Sequence, residues 1–400
     1  MKKLLKMLKI YPMMKAFSRL LFVALGRFPA NKRLVIFESF SGKQYSCNPR
    51  AIYEYLEEHD YDLEMIWSVE EANAESFRKR GIPTVRRFSL RWFYLMARAK
   101  YWVTNSRMSL WIPKPAHTVY VQTWHGTPLK KLAGDMDEVY MPGTNTLSYK
   151  ENFYKEAAKW DYLISPNRYS SDIFKRAFGF KKKMIESGYP RNDRLHLDNA
   201  QDHIDAIKKI YDIPVDKKVV LYAPTWRDDE FYQAGKYKHE LKLDLDMLKR
   251  EIGDEYVIIL RMHYLIAEQF DLSRYEGFAF DLSVGVDVND LYLMSDVLIT
   301  DYSSVFFDFA NLRRPIIFFT YDLASYRDKL RGFYFDLEVE APGPVVTTSA
   351  EVLKAIQTFE NEGFGAFEER YNDFYNTYCY LEGGSATKKV VDQIFVSEAK

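Results

Sequence analysis

Short apolar runs and helical segments alternate along this chain, and the alternation occurs twice. The first series of apolar runs, each typical of a buried strand, comprises residues 34–37, 63–69, 101–105, 118–122, 162–165 and 184–186. A mostly polar stretch at residues 191–201 interrupts the series, which then restarts with runs at residues 219–222, 256–260, 297–300 and 315–319. Strands that alternate with helices predict parallel sheets with crossover connections. The sequence therefore predicts two consecutive α/β halves.

Helix signals lie between these runs. Asn48 and Pro49 are typical of a helix N-cap and first helical position. Helical segments are also predicted at residues 90–99, 246–252 and 303–312. The tail from Glu368 onward has a helical pattern and no clear strand.

The first 37 residues contain no acidic residue, and their cations interleave with apolar side chains. The apolar run at residues 20–25 is much shorter than the roughly 20 residues that span a bilayer. Ala24 and Gly26 resemble a signal-peptide cleavage site, but this run is shorter than a normal hydrophobic region. We expect a basic amphipathic helix at an anionic membrane surface, kinked at Pro12. A basic helix packed on the domain is the alternative.

Composition narrows the class of protein. With 400 residues and 47% hydrophobic composition, the chain is long enough for two cores. Lys and Arg number 56 and Asp and Glu number 56, so the balance argues against a generally basic nucleic-acid binder. Cys47 and Cys379 are the two cysteines, which argues against a cysteine zinc site or a disulfide scaffold.

The strand ends of the second half carry polar residues typical of an anion site. Ser303 and Ser304 precede a predicted helix, where hydroxyls and unpaired backbone N–H groups bind phosphate. Arg227, Arg261 and His263 follow other strands, and three convergent cations suit a diphosphate.

Structural alternatives remain open for the same residues. In the first alternative, Ser303 or Ser304 is a helix cap and Asp308 is a surface residue. In the second, Arg261 forms an ion pair with Asp281 or Asp287.

Other phosphate chemistries lack their motifs. No P-loop follows a strand, and no Gly-x-Gly-x-x-Gly does. Three Asp-x-Asp stretches start at Asp60, Asp135 and Asp244, but none follows a strand end of the second half. We expect no cofactor, and a divalent metal ion is not implied, since helix N–H groups, Arg and His can neutralise phosphate charge.

The segment Gln122-Thr123-Trp124-His125-Gly126-Thr127-Pro128 places a histidine at a strand end of the first half. A histidine with a near-neutral pKa suits proton transfer, although a lone histidine is more often structural. Gly126 lets a substrate approach the backbone, and Trp124 can wall a pocket.

Several motifs together resemble the CDP-glycerol glycerophosphotransferase family, which includes wall teichoic acid primases and polymerases and their capsule-building relatives. The motifs are QTWHGTPLKKLAGD, SGYPRND, LYAPTWRDD, RMHYLI and DVNDLYLMSDVLITDYSSVFFDFANLRRPIIFF. The resemblance runs from about Phe37 to the C-terminal tail, and residues 37–56 are more similar to the chain-extending members.

The resemblance implies a GT-B-like α/β fold with two Rossmann-like domains facing across a cleft. Residues 1–29 are then the membrane helix, 30–200 the acceptor domain, 201–365 the donor domain, and 366–400 helices that pack back on the acceptor domain. It implies that His125 and His263 are catalytic. The implied donor-binding residues are Gly126, Thr127, Pro128, Arg191, Thr225, Trp226, Arg227, Arg261, Met262, Ser303, Ser304 and Asp308.

The implied reaction moves glycerol phosphate or ribitol phosphate from a CDP-activated donor to a lipid-linked polyol-phosphate or glycan acceptor and releases CMP. We expect a peripheral enzyme on the cytoplasmic face of the cell membrane, with no nucleic-acid partner. Two rivals remain. One is a GT-B glycosyltransferase that uses a nucleotide sugar, and the other is a non-catalytic binding protein at the membrane.

Overall fold

The computed structural model describes residues 2–139, 145–225, 231–233, 236–237, 241–262, 271–323 and 332–396. For residues 2–12, 14, 231–233 and 236–237 the backbone alone is described. The chain divides into two compact units. The first comprises Met1–His125, Leu132–Arg191 and Ser385–Lys400, and the second comprises Gly126–Lys131 and Asn192–Gly384.

Each unit contains a parallel sheet with helices. The strands are β1 (Asn31–Glu38), β2 (Glu64–Val69), β3 (Thr84–Arg86), β4 (Ala99–Thr104), β5 (Val119–Gln122), β6 (Tyr162–Ser165), β7 (Lys183–Glu186), β8 (Lys218–Tyr222), β9 (Phe231–Gln233), β10 (Lys236–Tyr237), β11 (Tyr256–Leu260), β12 (Ala279–Asp281), β13 (Val297–Thr300), β14 (Ile316–Phe319) and β15 (Val345–Val346). The helices are α1 (Lys2–Leu25), α2 (Cys47–Glu58), α3 (Ala74–Lys79), α4 (Leu90–Arg98), α5 (Thr146–Ala157), α6 (Arg168–Ala177), α7 (Asp193–Leu197), α8 (Gln201–Ile210), α9 (Leu245–Ile252), α10 (Val288–Met294), α11 (Val305–Phe309), α12 (Leu337–Glu340), α13 (Ser349–Glu362), α14 (Glu368–Tyr378) and α15 (Ala386–Val391).

Both sheets have the strand order of the Rossmann fold. The order is β3-β2-β1-β4-β5-β6-β7 in the first unit and β12-β11-β8-β13-β14-β15 in the second. When the strands are numbered within each of these two sheets in chain order, both orders begin 3-2-1-4-5-6. The order reverses between β1 and β4 and between β8 and β13, and ligands bind at the carboxyl ends of strands at such points.

The central strands are apolar along their length because helices cover both faces of a parallel sheet. In the first unit, for example, Phe37 of β1 stacks on Trp67 of β2 with ring centroids 5.6 Å apart, and both side chains are fully buried. A core of this kind fixes the strand ends, so the loops that follow them have a rigid base.

Helix α1 packs on α4 and β4 through Phe22 and leaves an apolar face exposed. Phe22 is buried against the rings of Trp92, Phe93 and Trp102, with centroids 6.1 to 6.5 Å away. Met13, Phe17 and Leu20, spaced along one helical face, are exposed. The helix runs through Pro12 without a break. None of the described helices is both long enough and apolar enough to span a bilayer.

Two predicted helix starts are wrong. Helix α2 begins at Cys47, with Ser46 at the N-cap position, so Asn48 lies inside its first turn and is not the cap. The helix predicted at residues 303–312 begins at Val305, and its last part is the 3-10 turn Ala310–Leu312.

The C-terminal helices belong to different units. Helix α14 lies in the second unit, and α15 lies in the first. The residues after Ser385 contribute Val390, Val391, Ile394 and Phe395 to the core of the first unit.

Candidate active site

His125 follows β5 at the carboxyl edge of the first unit's sheet. Its Nδ1 lies 2.7 Å from the backbone carbonyl oxygen of Asn105. A carbonyl oxygen only accepts, so Nδ1 carries the proton and donates, and the lone pair of the neutral ring is on Nε2. Among the described residues, Nε2 has no hydrogen-bond partner. The ring is thus in the tautomer that a general base at Nε2 requires.

The surroundings of His125 favour its neutral form. Desolvation by nearby protein atoms lowers the pKa of His125 to about 4; the hydrogen bond to Asn105 opposes this effect, and the positive charge of Arg191 adds to it. Although its ring is closely surrounded, the residue keeps an exposed surface that a substrate can reach. At neutral pH the imidazole is therefore unprotonated.

Two residues with strained backbone pack against this ring. Trp124 stacks on His125 with centroids 4.6 Å apart, and the edge of Phe40 meets the ring at 5.7 Å. Phe40 and Trp124 have φ angles of 46° and 51°, a region that L-residues rarely adopt. Such strain persists only where neighbouring contacts enforce it, and it clusters at functional sites.

Arg191 supplies the positive charge beside the base. Its side chain is buried, its guanidinium lies 4.7 Å from the centre of the Tyr189 ring, and Nη1 donates to Cys47 Sγ at 3.1 Å. Its backbone N–H donates to Asn48 Oδ1 at 3.1 Å. We define His125, Asn105, Asn48, Phe40 and Arg191 as the base region.

In the second unit, Gly126 lies against Ser304. A Cβ atom built on Gly126 would be 2.9 Å from Ser304 Oγ, which is closer than real Cβ atoms come to another atom. Ser304 occupies the N-cap position of α11 without a capping hydrogen bond from its side chain, so the hydroxyl is not used by the helix. Helix α11 has five residues, and its dipole is correspondingly small.

The segment after Gly126 is paired with residues 332–334 of the same unit. Lys131 N–H donates to the carbonyl of Gly332 at 2.9 Å, and Tyr334 N–H donates to the carbonyl of Leu129 at 2.8 Å. Thr127 and Pro128 are buried within this segment. Backbone pairing thus fixes the position of Gly126 against Ser304.

Asp301 joins the ends of β8 and β13 at the switch point of the second sheet. Its Oδ1 accepts from the N–H of Thr225 at 2.7 Å and from that of Tyr302 at 2.5 Å, and the side chain is buried. Thr300 Oγ1 donates to the carbonyl of Ala223 at 2.8 Å. These bonds hold Thr225 and the loop of Ser303 together, and we define Gly126, Thr225, Ser303 and Ser304 as the anion region.

Asp308 is buried, so the alternative that it is a surface residue is wrong. Its Oδ1 accepts from Asn192 Nδ2 at 3.0 Å, and the same amide donates to Glu382 Oε2 at 2.6 Å. Asn311 Nδ2 also donates to Glu382 Oε2 at 2.6 Å. Asp308 therefore fixes α11 to the chain segments around Asn192 and Glu382.

Arg261 is directed to the loop after β12. Its Nη1 donates to the carbonyls of Leu282 at 2.9 Å and Ser283 at 2.6 Å, and Met262 N–H donates to Ser283 Oγ at 2.8 Å. Desolvation is the main effect on the Arg261 pKa and lowers it, while Asp287 and Asp281 are among the charges that oppose this. Trp226, Arg227 and His263 lie outside the described residues, so the convergence of three cations stays a prediction.

Sequence reasoning missed the residues that hold these groups in place. Asn105 and Asp301 directly follow β4 and β13 at the two switch points, and that position is the signal that could have identified them. Asn48 is predicted as a helix cap, but the structure places its side chain against the backbone of Thr123 and Trp124. Among the described residues, no three His, Cys, Asp or Glu side chains form a metal-binding group, and metal independence stays a prediction.

Comparison with known proteins identifies the class. The family model described as CDP-Glycerol:Poly(glycerophosphate) glycerophosphotransferase matches residues 20–396. The match runs through both units, and the chain belongs to this family, as its motifs predicted.

Two curated relatives are teichoic acid poly(glycerol phosphate) polymerases. The Bacillus subtilis protein is 59% identical over 378 residues, covering 94% of this chain and 50% of that protein. The Bacillus spizizenii protein is 57% identical over 377 residues, covering 94% of this chain and 95% of that protein. The chain thus spans about half the length of the first relative and nearly all of the second.

A solved structure has the same fold. The wall teichoic acid polymerase TagF matches with a TM-score of 0.89 and 43% identity, covering 99% of this chain and 97% of that chain. Together with the two parallel sheets, this match confirms the predicted α/β, GT-B-like fold class.

Proposed function

We propose that this chain is a CDP-glycerol glycerophosphotransferase of teichoic acid synthesis. It transfers glycerol phosphate from CDP-glycerol to the terminal hydroxyl of a lipid-linked polyol-phosphate acceptor and releases CMP. Family membership and the two similar polymerases support this assignment. The observation that carries it is the tautomer of His125, whose Nδ1–H is held by the Asn105 carbonyl so that Nε2 can accept a proton.

His125 acts as the general base. Its Nε2 takes the proton of the acceptor hydroxyl while the hydroxyl oxygen attacks the β-phosphorus of the donor. The bond from that phosphorus to the bridging oxygen breaks, and the oxygen leaves as part of CMP. The lowered pKa of His125 keeps the base unprotonated at neutral pH. A weak base of this kind acts best where phosphorus and hydroxyl are already aligned, so positioning supplies much of the rate.

The anion region stabilises charge on the donor phosphates. The hydroxyls of Ser303 and Ser304 and the backbone N–H groups at the start of α11 donate hydrogen bonds to phosphate oxygens. Gly126 lets the backbone lie close to the Ser304 hydroxyl, because a Cβ atom there would approach Ser304 Oγ to 2.9 Å. His263 and Arg227 add positive charge, as the family resemblance implies.

The remaining donor-binding residues act from two places. Arg191 contributes positive charge from the base region. The donor-binding site is lined by Thr127, Pro128, Thr225, Trp226 and Met262. Arg261 holds the loop at Leu282 and Ser283 through two hydrogen bonds, and Asp308 holds α11 through Asn192. The reaction uses no divalent metal ion as a resident cofactor.

Glycerol phosphate is the transferred group, and the chain extends a polymer. Both similar relatives are named poly(glycerol phosphate) polymerases, and the segment at residues 37–56 resembles chain-extending members. The enzyme binds the cytoplasmic face of the membrane through the exposed apolar residues of α1 and the cations near them, Arg19 and Arg27 among them.

The decisive experiment measures the released nucleotide and the product mass. The protein is incubated with CDP-glycerol, CDP-ribitol or a UDP-sugar and a synthetic lipid-linked glycerol phosphate primer, with and without EDTA. We expect CMP and a ladder of glycerol phosphate additions with CDP-glycerol, unchanged by EDTA. His125→Ala should lower kcat by about 100-fold or more.

Other outcomes select a different function. UDP release from the sugar donor would make the protein a glycosyltransferase, and donor binding without turnover would make it a binding protein. Near-normal turnover of His125→Ala would remove the base assignment while leaving the transfer reaction in place.

A further inference from the structure

Asn105 is a buried residue whose side chain fixes the backbone that His125 contacts. Its Oδ1 accepts from the N–H of Phe40 at 2.8 Å, and its Nδ2 contacts Ser39 Oγ at 3.0 Å. A backbone N–H can only donate, so the orientation of this amide is unambiguous. The carbonyl of the same residue accepts from His125 Nδ1 at 2.7 Å. One residue therefore links the loop after β1 to the ring of the base.

Asn48 does the same for the backbone that leads into His125. Its Nδ2 donates to the carbonyls of Thr123 at 3.1 Å and Trp124 at 3.2 Å. Its Oδ1 accepts from the N–H of Arg191 at 3.1 Å, so this amide orientation is unambiguous as well. Trp124 has a φ of 51°, and the bond from Asn48 helps to hold that strained residue in place.

Both asparagines are fully excluded from solvent and lie in the first unit. Burying a polar side chain is unfavourable unless its donors and acceptors are used, and here they are used to fix two sides of one imidazole. Phe40 provides a second link between Asn105 and the ring, because its N–H is held by Asn105 and its ring packs on His125.

We propose that Asn48 and Asn105 are positioning residues for His125. Asn105 fixes the carbonyl that sets the ring tautomer, and Asn48 fixes the strained backbone that aims the ring. The part of this inference that concerns rate rests on the proposed transfer reaction. The part that concerns the ring does not, because tautomer and orientation exist without substrate.

The two residues differ in which atom matters, and this difference sharpens the test. At Asn105 the contact with Phe40 needs an acceptor, which an aspartate retains, and the Ser39 hydroxyl can donate to the second carboxylate oxygen. At Asn48 the contacts with Thr123 and Trp124 need donors, which an aspartate lacks. Asn→Asp should therefore preserve function at position 105 and fail at position 48.

The experiment compares Asn105→Ala, Asn105→Asp, Asn48→Ala and Asn48→Asp with the full-length protein. Thr118→Val is the matched control, because it removes a buried hydrogen bond from Thr118 Oγ1 to the carbonyl of Ala99, 2.8 Å long, just before the start of β5. Each variant is measured for kcat and donor KM from about pH 3.5 to 8, a range that includes the acid limb set by His125. The tautomer of His125 is read by nitrogen NMR of protein labelled at histidine, with His125→Asn for assignment.

We expect Asn105→Ala, Asn48→Ala and Asn48→Asp to lower kcat by about 10- to 100-fold with little change in donor KM, because the base is misplaced. Asn105→Asp should retain most of kcat at pH 8. Its negative charge near the ring should raise the His125 pKa and move the acid limb of the profile to higher pH. In Asn105→Ala, the NMR signal should show a mixture of tautomers, whereas the wild type and Thr118→Val should show Nδ1–H alone.

The proposal is overturned if both alanine variants keep the wild-type kcat, acid limb and tautomer. It is equally overturned if Thr118→Val lowers kcat as much as they do, because the effect would then be loss of stability. Should the wild type show no turnover with CDP-glycerol, the proposed function fails, and the tautomer measurement alone decides whether the asparagines position the ring.

Discussion

The acid–base behaviour of one imidazole sets the pH range of the proposed reaction. The pKa of His125 is lowered from 6.5 to about 4, chiefly by desolvation, so the neutral base persists well below neutral pH. We predict that kcat stays constant from pH 8 down to about 5.5 and falls as the pH drops through the folded-state pKa of about 4. Rate measurements with a soluble acceptor analogue would check this, and an acid limb centred at pH 6.5 would contradict it.

The same shift affects stability with a defined sign. Because the folded-state pKa lies below the unfolded-state value, the unfolded chain binds the proton more readily between pH 6.5 and 4. The stability contributed by the neutral ring is therefore present above pH 6.5 and lost as the pH falls. Rates at the acid end need a parallel measurement of folding, for example by tryptophan fluorescence.

Gly126 offers a second test with one methyl group. We predict that Gly126→Ala lowers kcat/KM for CDP-glycerol by about 10-fold, through a higher donor KM and a lower kcat. The reason is that its Cβ would lie 2.9 Å from Ser304 Oγ. Steady-state kinetics with CDP-glycerol checks this prediction. Gly383→Ala is the matched control, since a Cβ there meets no atom within 4 Å.

A double variant separates steric crowding from loss of a phosphate contact. The clash in Gly126→Ala should lower the melting temperature. Adding Ser304→Ala removes the clashing hydroxyl, so the melting temperature should return towards the wild-type value. The KM for CDP-glycerol should not recover, because the Ser304 hydroxyl can no longer donate a hydrogen bond to phosphate. Recovery of both would show that Ser304 does not contact the donor.

Between elements, a buried ion pair connects β1 with the residue after β3. Arg87 Nε lies 3.1 Å from Glu38 Oε2, and Ser68 of β2 donates to the same oxygen at 2.7 Å while accepting from Trp92 Nε1 of α4 at 2.7 Å. Desolvation raises the pKa of Glu38, and the positive charge of Arg87 opposes that effect. The pair lies directly before the loop that carries Phe40.

Removing one member of this pair should cost more than removing both. We predict that Arg87→Met destabilises the protein by about 3 kcal/mol, because it leaves a buried carboxylate without its cation. The pKa of Glu38 then rises further, so the loss should be smaller at pH 5 than at pH 8, where the carboxylate is ionised. Urea unfolding at both pH values checks this, and Glu38→Gln with Arg87→Met should recover most of the stability.

Long apolar strands were predictable from the sequence, and short strands at the sheet edges were not. Runs such as β1 and β11 are buried on both faces, so their composition alone identifies them. Strands β3, β12 and β15 have three, three and two residues and lie at sheet edges, where little apolar sequence is needed. These residues form strands because their backbone pairs with a neighbouring strand, which the local sequence does not indicate.

The candidate site was predictable where a residue type itself suggests chemistry. His125 and the serines before α11 follow strands in a pattern that indicates a site. Asn48 and Asn105 act through amide contacts with Thr123 and Phe40, residues 75 and 65 positions away in the chain. Local sequence gives no sign of such contacts, and the pairing of the segment after Gly126 with residues 332–334 is long-range in the same way.

At the scale of the molecule, each unit contains one group of residues with a proposed role. His125 and Arg191 lie in the first unit, and the described residues proposed to bind phosphate, Gly126, Thr225, Ser303 and Ser304, lie in the second. The acceptor is proposed to be membrane-borne, so the first unit should carry the membrane-binding surface. Its exposed residues Met13, Phe17 and Leu20 on α1 match that expectation. Phe22 on the same helix packs against the aromatic residues of α4 and β4, so α1 is fixed to the rest of the unit.

Deleting α1 would expose this aromatic cluster, so substitution of the exposed face is the cleaner test. We predict that Phe17→Glu with Leu20→Glu lowers binding to vesicles containing anionic phosphatidylglycerol by about 100-fold or more, since burial of each apolar side chain contributes about 1.5 to 3 kcal/mol. Activity on a soluble acceptor analogue should be unchanged. Leu147→Glu, at an exposed apolar position of α5 in the same unit, is the control and should bind normally. If the double variant sediments with the vesicles as the wild type does, α1 is a packed basic helix and membrane binding depends on another surface.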